Sequence, residues 1–373
     1  MRHHRIAVIP GDGIGPEVID ASRAVIEAAS SSFGFTVELT DYDLGAQHYL
    51  RTNELWTDNL ADELRKHDAI LFGAMGDPSV PPGVLERGII LKMRLAFQQA
   101  VNLRPVKLYP EVDSPIKDLT PERCDLVVIR ENTEGAYVDE GSTVHAGTQN
   151  AVAVQDSVST RRGIERVVDF SFRLAQLRRR RLTLCHKKNI LLAAGGLWQD
   201  TVDELSARYP DVEVDYVHVD AMCFHLPTTP ERFDVVVTDN LFGDIITDLG
   251  AVIQGGLGVA ASANLNLDGS SPSMFEAIHG SAPDIAGRGW ANPTGAILST
   301  ALCLATLGEN DAAKAVEAAA VAVLTSLPAT SGPGMGHSTQ EIGQLVAEAV
   351  ARPDRATTIE GGSLLDELAV LQQ

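Results

Sequence analysis

Nowhere does this chain carry a run of about 18 apolar residues, so no segment has the length and apolarity of a membrane-spanning helix. The N-terminal MRHHRIAVIP is charged and then only briefly apolar. It lacks the longer apolar core and small-residue cleavage site of a secretory signal, and a cytoplasmic location is the expectation. Cysteine is scarce: Cys124, Cys185, Cys223 and Cys303 form no CxxC pair, and each sits in or beside an apolar segment. Reduced, buried thiols are expected rather than zinc sites or disulfides. Cations are also few, with 30 Lys and Arg against 50 Asp and Glu and a net charge of −20. Such a balance disfavours nucleic acid and anionic membrane as partners. The one basic run, Arg178 to Arg181, reads as a solvated helix end leading into a strand. An anionic ligand would be repelled by the overall field, so its capture would depend on arginines gathered locally. No GxxxxGK[ST] occurs, which removes the common phosphoryl-transfer loop.

At 373 residues the chain exceeds the size at which one core stops growing, so two domains or interleaved lobes are expected. Strand-like runs at Ile6–Ile9, Phe35–Leu39, Ala69–Phe72, Leu126–Ile129, Leu182–Cys185, Val212–Val219 and Phe233–Val237 alternate with helix-like patterns. The helical patterns cover Glu17–Ala29, Glu54–Lys66, Gly163–Leu177 and Leu197–Arg208. This alternation predicts an α/β fold with a largely parallel sheet. From Thr294 onward the chain reads as nearly all helix, broken by a loop at Ala329–Ser338. Ala136–Ala153 reads as a projecting hairpin arm.

Chemistry concentrates in a few segments. In VVVTDNLFGDIITDLG a strand turns into a helical pattern that sets Asp244 and Asp248 at i and i+4, about 6 Å apart on one face. Paired carboxylates of this kind suit Mg²⁺ or Mn²⁺ with coordination positions left for a substrate; solvated surface acids are the alternative. Ile245, Ile246 and Leu249 around them argue against simple exposure. Arg94, Arg104 and Arg130 lie in elements otherwise headed for the core and need anionic partners, which could be protein carboxylates or a ligand's. Three together suggest a dicarboxylate. Tyr137 and Lys187 are candidate proton carriers, with Lys187 placed beside a cation-rich site and Lys188 pointing the opposite way. GDGIGPEV follows a strand and opens a helix, but Pro16 stands where a classical Rossmann motif has its third glycine. A tight structural turn and a ligand loop remain equal readings of it. The small-residue stretch Met274–Ala296 could bring backbone N–H groups to phosphates, and Asp284 could accept from ribose hydroxyls while repelling a 2′-phosphate, which favours NAD over NADP.

The motifs IPGDGIGPEV, NLRP, RENTEGAY, NLFGDIITD and HGSAPDIAG, in this order, resemble the β-decarboxylating dehydrogenases of the isocitrate/isopropylmalate dehydrogenase family. GDPSVPPGVLERGIILKMR is most similar to the actinobacterial-type isopropylmalate branch, whereas RENTEGAY is more like the isocitrate and malate/tartrate branches. The resemblance implies a two-domain α/β fold without a classical Rossmann motif and with a discontinuous first domain. Residues 1–103 and 258–373 would bind the cofactor, and residues 104–257 would hold substrate, metal and the dimer contact, with an arm near 136–153. It also implies NAD- and Mg²⁺- or Mn²⁺-dependent oxidative decarboxylation of a 3-substituted malate, with 3-isopropylmalate first and D-malate, tartrate or another 3-alkylmalate as the alternative. Under it Arg94, Arg104 and Arg130 hold the malate carboxylates, and Glu86, Ile90 and Leu91 meet the γ substituent and nicotinamide. Asp244 and Asp248, with Asp220 of the partner subunit, bind the metal; Tyr137 and the partner subunit's Lys187 move protons in a homodimer. His279, Gly280, Ser281, Ala282, Asp284, Ile285 and Asn292 bind the adenosine half of NAD. A bulky Phe224 after Asp220 would stand near the wall of the substrate site.

Overall fold

The computed structural model of the protein describes residues 2–352 and 363–371; positions 353–362 and the extreme ends, assigned above to the first domain, lie outside the described residues. In chain order the strands are β1 (Arg2–Gly11), β2 (Phe35–Asp41), β3 (Ala69–Ala74), β4 (Val101–Lys107), β5 (Asp125–Glu131), β6 (Gly141–Val144), β7 (Val152–Gln155), β8 (Arg181–His186), β9 (Glu213–His218), β10 (Val235–Thr238), β11 (Ala261–Leu265) and β12 (Ser273–Ala277). Among the described residues ten of them form one sheet, ordered β2-β1-β3-β12-β11-β4-β5-β10-β8-β9.

The flanks of this sheet are parallel, as the alternating pattern predicts. β3, β1 and β2 run together, and so do β5, β10, β8 and β9. The middle differs, because β11 is antiparallel to both β12 and β4, and β4 is antiparallel to β5. These central strands, β4, β11 and β12, are the ones that apolar runs do not reveal. Their sequences VNLRPVK, ASANL and SMFEA mix polar and small residues because the strands carry the site on one face. Since the sheet is continuous and β4 spans position 103/104, we propose the two-lobe division as a pair of lobes sharing one sheet rather than two separate cores.

Helices cover the sheet. Gly15–Phe33 contains the predicted Glu17–Ala29, and Arg161–Leu177 matches its prediction closely, capped by Thr160 through the N–H of Gly163. Glu54–Lys66 shrinks to Asp58–Leu64, because the Thr57 hydroxyl caps the helix there by accepting from the N–H of Leu60. Thr294–Thr306 is buried from Thr294 to Ala305, and its all-round apolar sequence suits a helix enclosed in the core. β6 and β7 form the expected arm, an antiparallel hairpin whose eight strand residues are all exposed and which runs two residues past the expected end.

The basic run departs from expectation at its first member. Arg178, with a side chain only 5% exposed, bonds Asp234 at 2.9 Å, Asp125 at 2.7 Å and Glu367 at 3.1 Å. Asp234 is fully buried at the foot of β10, and its charge is what draws a guanidinium inward. Cys124, Cys185 and Cys303 are buried free thiols as expected, and Cys223 is half-buried. No helix among the described residues is long and apolar enough to cross a membrane.

Candidate active site

The helix Asn240–Ile253 begins directly after β10, with Oδ1 of Asp239 capping it by accepting from the N–H of Phe242 at 2.7 Å. Asp244 and Asp248 therefore lie one turn apart, as the spacing predicts. Asp244 is the centre of the site. Its Oδ1 accepts from Arg130 at 2.5 Å and from Arg104 at 3.4 Å, and its Oδ2 accepts from the Tyr137 hydroxyl at 2.8 Å. The Arg130 side chain is 2% exposed, gives two further hydrogen bonds to Oδ1 of Asn240 and stacks its guanidinium 5.2 Å from the Tyr137 ring. Gly243 makes this approach possible, because a Cβ there would fall 2.5 Å from Cγ of Arg130. Arg104 is anchored by Asn102 at 2.6 Å and Thr247 at 2.5 Å.

Electrostatics follow from this crowding. Burial works against ionised Asp244, but Arg130 and Arg104 outweigh it and hold the carboxyl below the usual carboxylate range. Partial desolvation, then the Asp244 charge, push Asp248 upward. Burial also raises the Tyr137 phenol, which stays protonated at neutral pH. Burial and then Arg130 pull the Arg104 guanidinium down. The apolar neighbours do not seal this face as expected: Ile245 is 52% exposed and Asp248 is exposed, because no element among the described residues covers that side of the helix.

Arg94 takes a different partner. It reaches Oε1 of Glu276 on β12 at 3.1 Å, and its buried Nε has no partner. Glu276, which also accepts from Asn264 at 2.8 Å, is a site residue that the sequence motifs do not single out. The signal was a lone acid inside a buried strand. Its charge offsets the mutual repulsion of the three guanidiniums, since Arg94 lowers the pKa of both Arg104 and Arg130. Arg94 follows a π-helical turn, Glu86–Leu91, that holds Glu86, Ile90 and Leu91; such turns are frequent at functional sites.

Lys187 and Asp220 form a separate pair. The lysine ammonium at the end of β8 bonds the Asp220 carboxylate at the start of the helix Val219–Thr228, and that bond holds the Asp220 carboxyl below its usual range. Lys187 was expected beside the cation-rich site; within one chain its ionic partner is Asp220 instead. Lys188 points elsewhere, bonding Gln199 at 2.8 Å with its ammonium 3.9 Å from the Tyr216 ring centre. Phe224 is 65% exposed. Asp244 and Asp248 offer the hard oxygen donors a divalent cation takes, so these residues fit one. Among the described residues no three His, Cys, Asp or Glu side chains gather into a cage, so further ligands must come from water, substrate or a second chain.

The candidate nucleotide loop follows β12. His279 is buried, its Nδ1 lies 3.0 Å from the Gly280 carbonyl, and its Nε2 is buried without a partner, which fits a polar ligand approaching here. Burial keeps this imidazole neutral. A Cβ on Gly280 would meet nothing within 4 Å, leaving backbone open to a ligand, and Ala282 has φ of 39°. Asp284 is exposed and Ile285 half-buried. Asn292 is buried, with its amide donating to the Thr330 carbonyl at 3.0 Å. The Ser281 carbonyl accepts from the N–H of Ile14 at 2.8 Å, and a Cβ on Gly13 would sit 1.9 Å from that carbonyl oxygen. This favours the structural-turn reading of GDGIGPEV: its glycines admit protein backbone. Asp12 in the same turn is buried and accepts from the N–H groups of Ala46 and Gly76. The Gly76 position has Ser281 and Glu86 side chains nearby, so the π-helical turn and the nucleotide loop face one another.

Residues 5–346 match the isocitrate/isopropylmalate dehydrogenase family. The chain is 53% identical to a 3-isopropylmalate dehydrogenase of Thermobifida fusca over 93% of this chain and 98% of that one. It is also 53% identical to one of Nocardia farcinica over 93% and 100%. The fold matches the crystal structure of an isocitrate dehydrogenase from Methylococcus capsulatus with a TM-score of 0.83 at 35% identity, covering 94% of this chain and all of that one. With the family match covering most of the sequence and the fold agreeing, this chain belongs to the isocitrate/isopropylmalate dehydrogenase family.

Proposed function

We propose that this protein oxidatively decarboxylates 3-isopropylmalate to 4-methyl-2-oxopentanoate and CO₂, with NAD and Mg²⁺ or Mn²⁺, as a step of leucine biosynthesis. The observation that carries the reading is the convergence of Arg104, Arg130 and Tyr137 on one carboxylate, Asp244. A malate carboxylate offers these guanidiniums the same planar anion that Asp244 offers now, with bidentate geometry to fix its orientation. Arg94 adds the third cation, leaving its free Nε to meet substrate.

Asp244 and Asp248 would hold the cation, which would supply acidification of the 2-hydroxyl and polarisation of the ketone, and NAD would supply the hydride acceptor. Lys187 takes the hydroxyl proton as the neutral amine, its own proton having left before the substrate is oxidised, and becomes the ammonium. Its partner Asp220 contributes an oxygen ligand from the same pair, and both come to the site from a second subunit. Loss of CO₂ from the carboxylate β to the ketone leaves an enolate, which Tyr137 protonates from its phenol. The arginines hold the carboxylates throughout and keep the reacting carbon beside the phenol. Glu86, Ile90 and Leu91 line the γ substituent's side. His279, Gly280, Ser281, Ala282, Ile285 and Asn292 hold the adenosine, and exposed Asp284 meets the ribose hydroxyls and repels a 2′-phosphate. The homodimer is supported by the exposed valines of the arm, Val144, Val152 and Val154, and by Ile245 beside the site.

The test is NADH formation followed at 340 nm, an assay wavelength, with 3-isopropylmalate, other 3-alkylmalates, isocitrate, D-malate and tartrate. Turnover highest with 3-isopropylmalate supports the reading. Higher kcat/KM with D-malate or tartrate moves the chain to the alternative, and no absorbance with any substrate removes the activity.

A further inference from the structure

His186 lies between the strand end that presents Lys187 to one site of the proposed dimer and the helix that presents Asp244 and Asp248 to the other. It ends β8, one residue before Lys187, and it is fully buried. Its ring packs edge-on against Phe242, 5.5 Å between centroids, and beside Trp198 at 5.9 Å. Phe242 belongs to the helix that carries Asp244 and Asp248, and Trp198 belongs to the helix Leu192–Ser206 that follows the Lys187 turn. Gly195 on the latter helix leaves room for the ring, since a Cβ there would stand 3.2 Å from Nδ1 of His186. The imidazole is thus a wedge between the start of one helix and the cap of the other.

Polar contacts are sparse. Among the described residues neither ring nitrogen makes a well-formed hydrogen bond, and the acid paired with the ring is Asp239, whose Oδ2 is 3.5 Å from Nε2. Oδ1 of Asp239 is already occupied by the N–H of Phe242. Asp239 is part-buried, its side chain 14% exposed, and a carboxylate drawn this far out of water is stabilised by a donor on each oxygen. A neutral imidazole has one N–H to give, and placing it on Nε2 satisfies Oδ2.

We propose that His186 is a positioning residue: its Nε2–H, directed at Oδ2 of Asp239, ties the strand end that presents Lys187 to the cap of the helix that presents Asp244 and Asp248. The inference rests on the functional reading above, in which Lys187 is the base and the two aspartates hold the metal. The ring touches neither substrate nor cofactor; it sets where the lysine that serves one site of the dimer stands relative to the aspartates that serve the other. Reacting geometry is sensitive to shifts of about 1 Å, so loss of this tie acts on kcat before it acts on binding.

The test compares H186F, H186Q, D239N, the double variants H186F/D239N and H186Q/D239N, and K187M in the purified full chain with Mg²⁺, NAD and 3-isopropylmalate. H186F keeps a planar ring without a donor and is expected to lower kcat by about tenfold or more while KM for NAD changes by less than about twofold, on the order expected for a misplaced base. H186Q keeps an N–H at the position of Nε2 and is expected to recover most of the loss. The H186F/D239N double variant is expected to lose no more than the worse single one, because both changes break the same tie. Equal kcat for H186F and wild type, failure of H186Q to exceed H186F, or multiplicative losses in the double variant would each overturn the proposal. Should H186F not fold, H186Q, D239N and H186Q/D239N decide the same question through the additivity of their losses. K187M separates the two levels: if it retains near wild-type turnover, the base reading itself fails, whereas an inactive K187M beside an unimpaired H186F removes only the positioning role.

Discussion

The Tyr137 phenol donates to Oδ2 of Asp244 at 2.8 Å while the Arg130 guanidinium lies against the face of the same ring. A proton donor is thereby held beside Asp244, one of the two carboxylates proposed to hold the cation against the substrate, and burial keeps the phenol in its acid form. Y137F removes the proton and little else. Steady-state turnover is expected to fall by about 10²- to 10⁴-fold, the usual contribution of a positioned acid. Because hydride transfer precedes protonation of the enolate, a stopped-flow burst of one NADH per site is expected to survive. Loss of the burst along with the steady state would place Tyr137 before hydride transfer.

Arg130 donates to Asn240 through two of its nitrogens and to Asp244 through the third. A lysine cannot reproduce that fork. R130K is expected to lower kcat/KM for the malate by about 10²-fold, which corresponds to roughly 2.7 kcal/mol. KM for NAD should stay near its wild-type value, because Arg130 lies on β5 whereas the loop proposed to hold the nucleotide follows β12. An equal rise in both KM values in steady-state kinetics would point to general disruption.

Asp248 is raised above the usual carboxylate range by partial desolvation and by the Asp244 charge. A carboxyl whose folded pKa lies above its unfolded value costs the fold stability as pH rises from the unfolded pKa through the folded one. At neutral pH the metal-free protein therefore carries this strain, and a divalent cation bound as proposed would relieve it. D248N is expected to unfold at an equal or higher temperature than wild type in EDTA, to gain little on adding Mg²⁺ or Mn²⁺, and to lose most turnover. Wild type should show the opposite thermal response and no turnover after exhaustive chelation. A cation-induced rise in Tm that persists in D248N would place the metal elsewhere.

The parallel flanks of the sheet and the i, i+4 aspartates were legible in the sequence because a single physical rule governs each: continuous apolar runs for buried strands, and helical spacing for a shared face. β4 and β12 were not, since the residues that make them functional, Arg104, Asn102 and Glu276, also break the apolar pattern. The burial of Arg178 was hidden for another reason. Its partners Asp125, Asp234 and Glu367 are brought together only by the sheet and the C-terminal helix, so a run of four arginines looks solvated until the tertiary structure supplies the acids.

His186 and Asp239 both take up a proton on acidification, but their shifted pKa values act on stability in opposite senses. Burial pulls the imidazole down to about 4, so the fold disfavours its protonated form and loses stability as pH falls from about 6.5 toward 4. Burial pushes the Asp239 carboxyl up to about 6, so the fold gains stability from its protonation as pH falls from about 6 toward the ordinary aspartate value. H186Q removes only the loss and is expected to shift the acid-unfolding midpoint, followed by circular dichroism, to lower pH. D239N removes only the gain and is expected to shift it to higher pH. Shifts in the same direction would mean that some other group governs acid unfolding.

Arg178 joins three carboxylates from separate parts of the chain: Asp125 on β5, Asp234 before β10, and Glu367 on the helix Leu364–Leu371. R178M strips the guanidinium and leaves Asp234, whose side chain has no exposure, with the backbone N–H groups of Arg179 and Arg181 and the outer Arg179 guanidinium as its remaining partners. Breaking a buried pair from one side costs about 3–5 kcal/mol, because the surviving charge keeps its desolvation and loses its partner. Tm is accordingly expected to fall by several degrees at a fixed scan rate, at about 1–2 °C per kcal/mol for a chain of this size. E367Q leaves Arg178 with two carboxylates and retains a hydrogen-bond acceptor, so its Tm should fall by much less. If both variants lowered Tm equally, the stabilisation would reside in the C-terminal contact; an unchanged Tm in R178M would mean that Arg179 replaces the lost partner of Asp234.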